Sequence, residues 1–270
     1  MILLSSDLIL AGISSVFVGI FSALVGLGGG FILVPMYTLL FGLAPEIAIG
    51  TSITATICTT LSATLFQLES AKAHLSVILR IVLFSLPSAV IGSYCTQYLS
   101  GGSLIGIFGI FLLIMAGRLT IWPVLLEFLS HQSSSSASSD SAKIVRTRRM
   151  SALFLYATGC LGGLVSGLTG ISGGIIFVPA LISRKVQIHN AVVISLASII
   201  FTSSGAAATS LLMGHVSIPF LLSTATGVLI GGAIGVRLSP YLTADLIRWM
   251  LGVSIGTIAL VMIIKALTLA

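Results

Sequence analysis

The chain has 270 residues, of which 57% are hydrophobic and only 7% charged. Soluble domains carry roughly 25% charged residues, so this composition excludes a water-covered globule and points to an all-α polytopic membrane protein. The net charge of +6 does not mark a nucleic-acid binder, because four of the twelve basic residues sit in one loop, as they do on the cytoplasmic faces of membrane proteins.

The first apolar segment covers about 8–27, and the first basic residue is Lys72. Without a basic leader region, and too long for the apolar stretch of a signal peptide, this segment is expected to stay in the membrane. Further apolar segments fall at about 30–43, 46–66, 75–98 and 103–126. The stretch HQSSSSASSDSAKIVRTRR, residues 131–149, is polar, serine-rich and basic and reads as a flexible linker. Apolar segments resume at about 151–170, 173–183, 188–213, 216–238 and 246–267. The organisation is therefore an N-terminal membrane repeat (1–128), a linker (129–150) and a C-terminal membrane repeat (151–270). Cys58, Cys95 and Cys160 stand in three different apolar segments without ligand spacing, so they read as buried hydrophobes and predict neither disulfides nor a metal site.

The halves are related. SALVGLGGGFILVP at 22–35 returns as SGLTGISGGIIFVP at 166–179, and positions 19–36 match positions 163–180 at 9 of 18 places. The matched pairs include Gly19 with Gly163, Ser22 with Ser166, Gly26 with Gly170, Gly29 with Gly173, Gly30 with Gly174 and Pro35 with Pro179. AHLS at 73–76 resembles GHVS at 214–217. A spanning helix needs ~20 residues. The second segment of each half, 30–43 and 173–183, spans only about 17–21 Å at 1.5 Å per residue. Each begins at the glycines and contains a proline, so each reads as a short or broken helix, with Gly26, Pro35, Gly170 and Pro179 in structural roles.

Charge chooses between two layouts. Four crossings per half make the repeats parallel and leave Arg184, Lys185, Arg237 and Arg248 outside. If the short segment returns the chain to the side it came from, the repeats are inverted. Eleven basic residues then face the cytoplasm and only Lys265 faces out. The positive-inside rule favours the second layout: about ten membrane segments in an inverted 5+5 repeat, both termini outside and the linker cytoplasmic.

Backbone groups exposed by a break at membrane depth must be satisfied by protein or reached by water. Paired short, Gly/Pro-interrupted segments in the two halves of such a repeat point to a transporter's binding site. The amide ends of half-helices starting at GGGF and GGII suit an anion, and a missing Cβ lets a ligand approach the backbone. Gly28, Gly29, Gly30, Ser172, Gly173 and Gly174 are therefore the candidate substrate residues. For Gly19, Gly163, Gly231 and Gly235 the reading is close helix packing. TSITATICTT at 51–60 and its counterpart around Ser195 are rich in hydroxyls. Back-bonding to the i−4 carbonyl explains such residues structurally; the functional reading has Thr51, Ser52 and Ser195 facing the anion. Arg80 and Arg118 are the intramembrane charges to weigh as anion ligands, against snorkelling to the cytoplasmic face. Glu69, Lys72 and His74 read as a solvated loop, and His215 as an outer turn. No acidic residue lies deep in a span, so a carboxylate proton relay has little support.

The duplicated phrase, a glycine-rich stretch running into an apolar segment that ends Val-Pro, resembles the sulfite exporter TauE/SafE family. The likeness extends over essentially the whole chain, with two related halves, a polar central linker and turns such as GHVS. It implies an inner-membrane carrier of small sulfur-containing anions such as sulfite, thiosulfate or organosulfonates, without metal or organic cofactor. It leaves direction, coupling ion and homo-oligomeric state open. The halves differ at Gly28 against Ser172 and Val25 against Thr169, which suggests hydroxyl donors supplied by the second half. Three other classes compete. Half-helices also build anion-selective channels. GISG at 170–173 could make Ser172 a protease nucleophile with His215 as base, although the first half carries Gly28 at the matching place. A scaffold without transport ranks low, because the loops offer little surface for partners.

Overall fold

A computed structural model describes residues 5–113, 151–184 and 186–238, together with 256, 259–261 and 264. Arg118, the whole linker and most of the last apolar segment lie outside the described residues. The described elements are helical: α1 (Ser5–Val25), α2 (Gly30–Pro35), α3 (Pro45–Leu65), α4 (Leu68–Ala73), α5 (Leu75–Cys95), α6 (Gly101–Leu113), α7 (Ala152–Thr169), α8 (Gly174–Ser183), α9 (Ile188–Leu212) and α10 (Ile218–Leu238). Six of them, α1, α3, α5, α7, α9 and α10, are long and apolar enough to cross a membrane. The solvated loop expected around Glu69, Lys72 and His74 is instead the short helix α4 with His74 at its C-cap, and His74 is buried.

Local sequence sets the boundaries. Pro45 starts α3 after Ala44, whose ψ of 140° is extended. A residue preceding proline is pushed out of the α region, and proline in the first turn forfeits an amide that has no helical partner anyway. Pro35 stands where α2 gives way to a π-helical turn, Met36–Leu40, because the ring removes a donor from the ladder. The equivalent Pro179 sits inside α8 without ending it.

The halves interlock. α1 packs along α10 and α7 along α5. On one seam Ser15, Gly19 and Ala23 meet Gly227, Gly231 and Gly235; on the other Ile81, Ser85 and Ala89 meet Gly159, Gly163 and Gly167. Both pairs run parallel, and the small residues repeat every fourth position, which brings backbone against backbone. The packing role expected for Gly19, Gly163, Gly231 and Gly235 is borne out.

α3 and α9 form the centre: 72% of an 18-residue apolar stretch of each is buried, against 33–44% for the other long helices. They run antiparallel, with Ile53 against Ala206 and Ala207 and Ala63 against Val192 and Leu196. α10 runs parallel to α3, with Ser62 bonded to the Leu229 carbonyl at 2.9 Å and Arg237 over the Phe66 ring at 5.4 Å. α5 runs parallel to α9 through Ser85–Thr202 and Ser93–Ser210 bonds of 2.6 and 3.0 Å. Consequently α1, α3 and α10 point one way and α5, α7 and α9 the other.

The short helices make this possible. α2 folds back along α1, with Gly29 beside Val18 and Ser22 and the Ser14 hydroxyl 3.3 Å from Met36 Sδ. α8 folds back along α7, with Phe177 beside Gly162 and Arg184 4.1 Å over the Phe154 ring. Each returns the chain to the end it came from. Charge sorts accordingly. Lys72, Arg80, Arg184 and Arg237 share the bundle end where α3 and α10 finish and α5 and α7 begin, whereas Asp7 and Glu46 stand at the opposite end, in the first turns of α1 and α3. Large apolar side chains such as Ile13, Phe17, Leu83, Leu153 and Leu222 face outward.

A candidate anion site where two broken helices cross

The two glycine phrases break their helices in the same way. α1 ends at Gly26, with φ 75°, and α7 at Gly170, with φ 73°. Each glycine returns its amide to a serine carbonyl four residues earlier, Ser22 at 2.9 Å and Ser166 at 3.0 Å. A left-handed residue at a helix end is where glycine is required.

Beyond the breaks the two strands of backbone cross in contact. A Cβ on Gly30 would run into the Gly170 carbonyl, and a Cβ on Gly174 would run into the Gly26 carbonyl. Each carbonyl also accepts from the central helix of the other half, which runs in the opposite direction: Gly26 from the Ser195 hydroxyl at 2.9 Å, and Gly170 from Ser52 at 3.4 Å. At the middle of the crossing Gly28, with φ 77°, lies against Ser172 and the methyl of Thr56. The Ser172 hydroxyl donates to the Leu27 carbonyl. The asymmetry in the sequence thus has a local cause. Gly28 needs positive φ, and the hydroxyl opposite it ties one half to the other. Thr169 acts locally, donating to Val165 at 2.7 Å and accepting from the Ile171 amide at 3.3 Å.

Gly28, Gly30, Ser52, Ser172, Gly174 and Ser195 therefore come together with Gly26 and Gly170. Gly29 turns toward Val18 and Ser22, and Gly173 toward Phe177 and the Gly162 carbonyl. Thr51 stands elsewhere: its hydroxyl accepts the Ser217 amide at 2.9 Å, securing the corner between α9 and α10. Arg80 is exposed near the start of α5, at the basic end of the bundle. His215 belongs to the α9–α10 corner, its carbonyl against Gly50. No Asp, Glu, Lys or Arg is buried among the described residues, and none of their His, Cys, Asp and Glu side chains gather into a group of three or more that could hold a metal ion. The polar atoms at the crossing are hydroxyls and backbone groups, with Ser52, Ser172 and Ser195 donating to the carbonyls of Gly170, Leu27 and Gly26.

About half of the hydroxyls of α3 and α9 donate to a carbonyl of the preceding turn. Thr54, Thr59, Thr60, Ser198, Thr202 and Ser204 all bond to the residue four before them. Others break that habit. Ser22, Thr56, Ser166 and Ser203 are buried, and their hydroxyl oxygens have no partner. Sequence reading counted Ser22 and Ser166 only as matched letters. The available signal was that a polar residue recurs at the same distance before each break.

The family described as sulfite exporter TauE/SafE matches the chain over residues 11–262. The chain is 29% identical over 230 residues to a protein named "Probable membrane transporter protein YunE" of Bacillus subtilis, covering 82% of this chain and 84% of that one. It is 26% identical over 262 residues to "Probable membrane transporter protein MJ0441" of Methanocaldococcus jannaschii, covering 92% of each. No solved structure matches it.

Proposed function

The chain belongs to the sulfite exporter TauE/SafE family of membrane transporters, and from that premise we propose that it is a secondary carrier of small sulfur-containing oxyanions, such as sulfite, thiosulfate or an organosulfonate, across the cell inner membrane. The reading takes the fold as ten membrane segments in an inverted 5+5 repeat with the linker cytoplasmic. The opposed directions of α3 and α9 support it, as do the returning helices α2 and α8 and the gathering of Lys72, Arg184 and Arg237 at one end.

The observation that carries the proposal is the reciprocal crossing, Gly30 on the Gly170 carbonyl and Gly174 on the Gly26 carbonyl. Two equivalent breaks pressed together supply the same interactions to either half. Rocking one half against the other exchanges access between the two faces around a fixed centre, and an anion is held there by hydroxyls and amides. The contact is closed here, so loading requires the phrases to part.

Flux measurements in proteoliposomes test this. Labelled sulfite, thiosulfate and sulfoacetate are supplied outside, with pH and sodium gradients varied. A carrier gives saturable, gradient-driven accumulation of one of them. Gly173→Leu, which drives a side chain into Phe177 and the Gly162 carbonyl, is expected to insert normally and lose transport. Non-saturating flux that never exceeds equilibrium would identify a channel instead, and absence of flux for every anion would remove the sulfur assignment.

A further inference from the structure

Hydroxyls within transmembrane helices can satisfy themselves on the preceding turn, as Thr54, Thr59, Thr60, Ser198, Thr202 and Ser204 do on α3 and α9. Ser22 and Ser166 do not. Both have 0% relative exposure, and neither hydroxyl oxygen has a hydrogen-bond partner. They occupy matching places in the two halves, each supplying the carbonyl that closes its break at Gly26 or Gly170. The Ser22 oxygen lies 3.5 Å from where a Cβ on Gly29 would stand. The methyl of Thr56 lies against the neighbouring Gly28, and the Thr56 hydroxyl is also unpartnered.

A buried hydroxyl without a partner is costly, and native interiors leave few. One such group could be an accident of packing. The same group at the same step of two diverged repeats, with a third beside the same glycines, has a common cause. Of the other unpartnered atoms, those of Thr64, Gln67 and His74 lie where α3 passes into α4 and α5, and that of Ser203 stands by itself on α9; among the described residues none of these four forms a matched pair between the halves as Ser22 and Ser166 do.

We infer that Ser22 and Ser166, assisted by Thr56, are the hydrogen-bond donors that bind the transported oxyanion, one from each half, and that they are left open in the unloaded closed arrangement. The inference rests on the anion-carrier reading above. An oxyanion offers several acceptor oxygens and can take one donor from each side, so the two serines would exchange which of them engages it first as access alternates. Hydroxyls also discriminate by acceptor geometry, so loss of one changes which anion is preferred.

The test uses the full chain in two formats. In detergent, thermal unfolding is followed with and without sodium sulfite, with sodium chloride as the control for sodium. In proteoliposomes, concentration dependence of sulfite uptake is measured. Wild type is expected to gain Tm with sulfite. Ser22→Ala and Ser166→Ala are expected to unfold at or above the wild-type temperature without sulfite, since no bond is lost. They should need at least tenfold more sulfite for the same shift and show a raised KM with little change in maximal rate. Ser22→Thr, which restores the hydroxyl, should recover most of the affinity. A sulfite response in both alanine variants equal to wild type would overturn the inference while leaving the carrier reading intact. A clear fall in their unliganded Tm would also overturn it, by making the serines structural. If wild type itself neither shifts nor transports sulfite, thiosulfate or sulfoacetate, the carrier reading fails first and takes this one with it.

Discussion

The carbonyls of Gly26 and Gly170 show how a broken membrane helix is kept affordable. Each has lost its helical partner, and hydrocarbon offers no replacement. Ser195 reaches the first at 2.9 Å and Ser52 the second at 3.4 Å. The longer bond is the weaker one, so the two halves are not held equally. Ser195→Ala should therefore cost about 1 kcal/mol of stability, the usual value for a hydrogen bond whose loss leaves a buried acceptor, and Ser52→Ala clearly less. Unfolding in mixed micelles at increasing denaturing detergent reads both. Equal costs, or a larger cost at Ser52, would mean that the carbonyls find other partners. The sequence placed Ser52 and Ser195 near the breaks, but it placed Thr51 there too, whereas Thr51 secures the α9–α10 corner; it could not say which hydroxyl of the first half is the counterpart of Ser195. Offsetting by the glycine phrases selects Thr51. The observed counterpart is Ser52, because 195 − 52 = 143 whereas 170 − 26 = 144. The connection between short and central helix is one residue shorter in the second half, and one residue on a helix is a rotation of roughly 100°.

At the scale of elements, the glycine seams explain why the helices are interleaved between halves. Gly231 sits on the Val16 carbonyl and the Cα of Gly19, and Gly163 sits on the backbone of Ser85. Backbone cannot yield as a side chain can. Gly231→Val and Gly163→Val should each destabilise by about 3 kcal/mol or more, the upper range of overpacking. Gly205 is the control: a Cβ there would meet the Val90 and Leu86 side chains at 3.1 and 3.3 Å and the Leu86 carbonyl at 3.3 Å, none as close as the backbone at Gly231 or Gly163, so Gly205→Ala should stay within about 1 kcal/mol of wild type. Unfolding of the purified variants checks the order. Spacing of small residues made the packing role legible at Gly19, Gly163, Gly231 and Gly235. Which helices pair was not legible, because the same small-residue spacing fits a seam within one half as well as one between halves. α4 was missed for a different reason: six residues hold less than two turns, too few for a periodicity to show.

Across the whole molecule, charge and direction make one argument. Lys72 ends α4, Arg184 follows α8 and Arg237 ends α10; all three belong to the bundle end opposite Asp7 and Glu46. A layout with four crossings per half would put Arg184 and Arg237 across the membrane from Lys72. That arrangement needs α2 and α8 to leave the chain on the side that the preceding helix reached, yet both fold back along the helix they follow. Single cysteines introduced into a chain whose Cys58, Cys95 and Cys160 are replaced by alanine make the distinction. Lys72→Cys and Ser183→Cys should react with an impermeant maleimide only after the cells are opened. Ser103→Cys, exposed beyond the far end of α5, should react in intact cells. Protection of both Lys72→Cys and Ser183→Cys would fix the basic end in the cytoplasm, where the positive-inside rule expects it. Reaction of Ser183→Cys, but not Lys72→Cys, from outside would restore the parallel layout. The reciprocal crossing of the glycine phrases would then no longer relate two opposite faces, and the alternating-access reading would lose its symmetry.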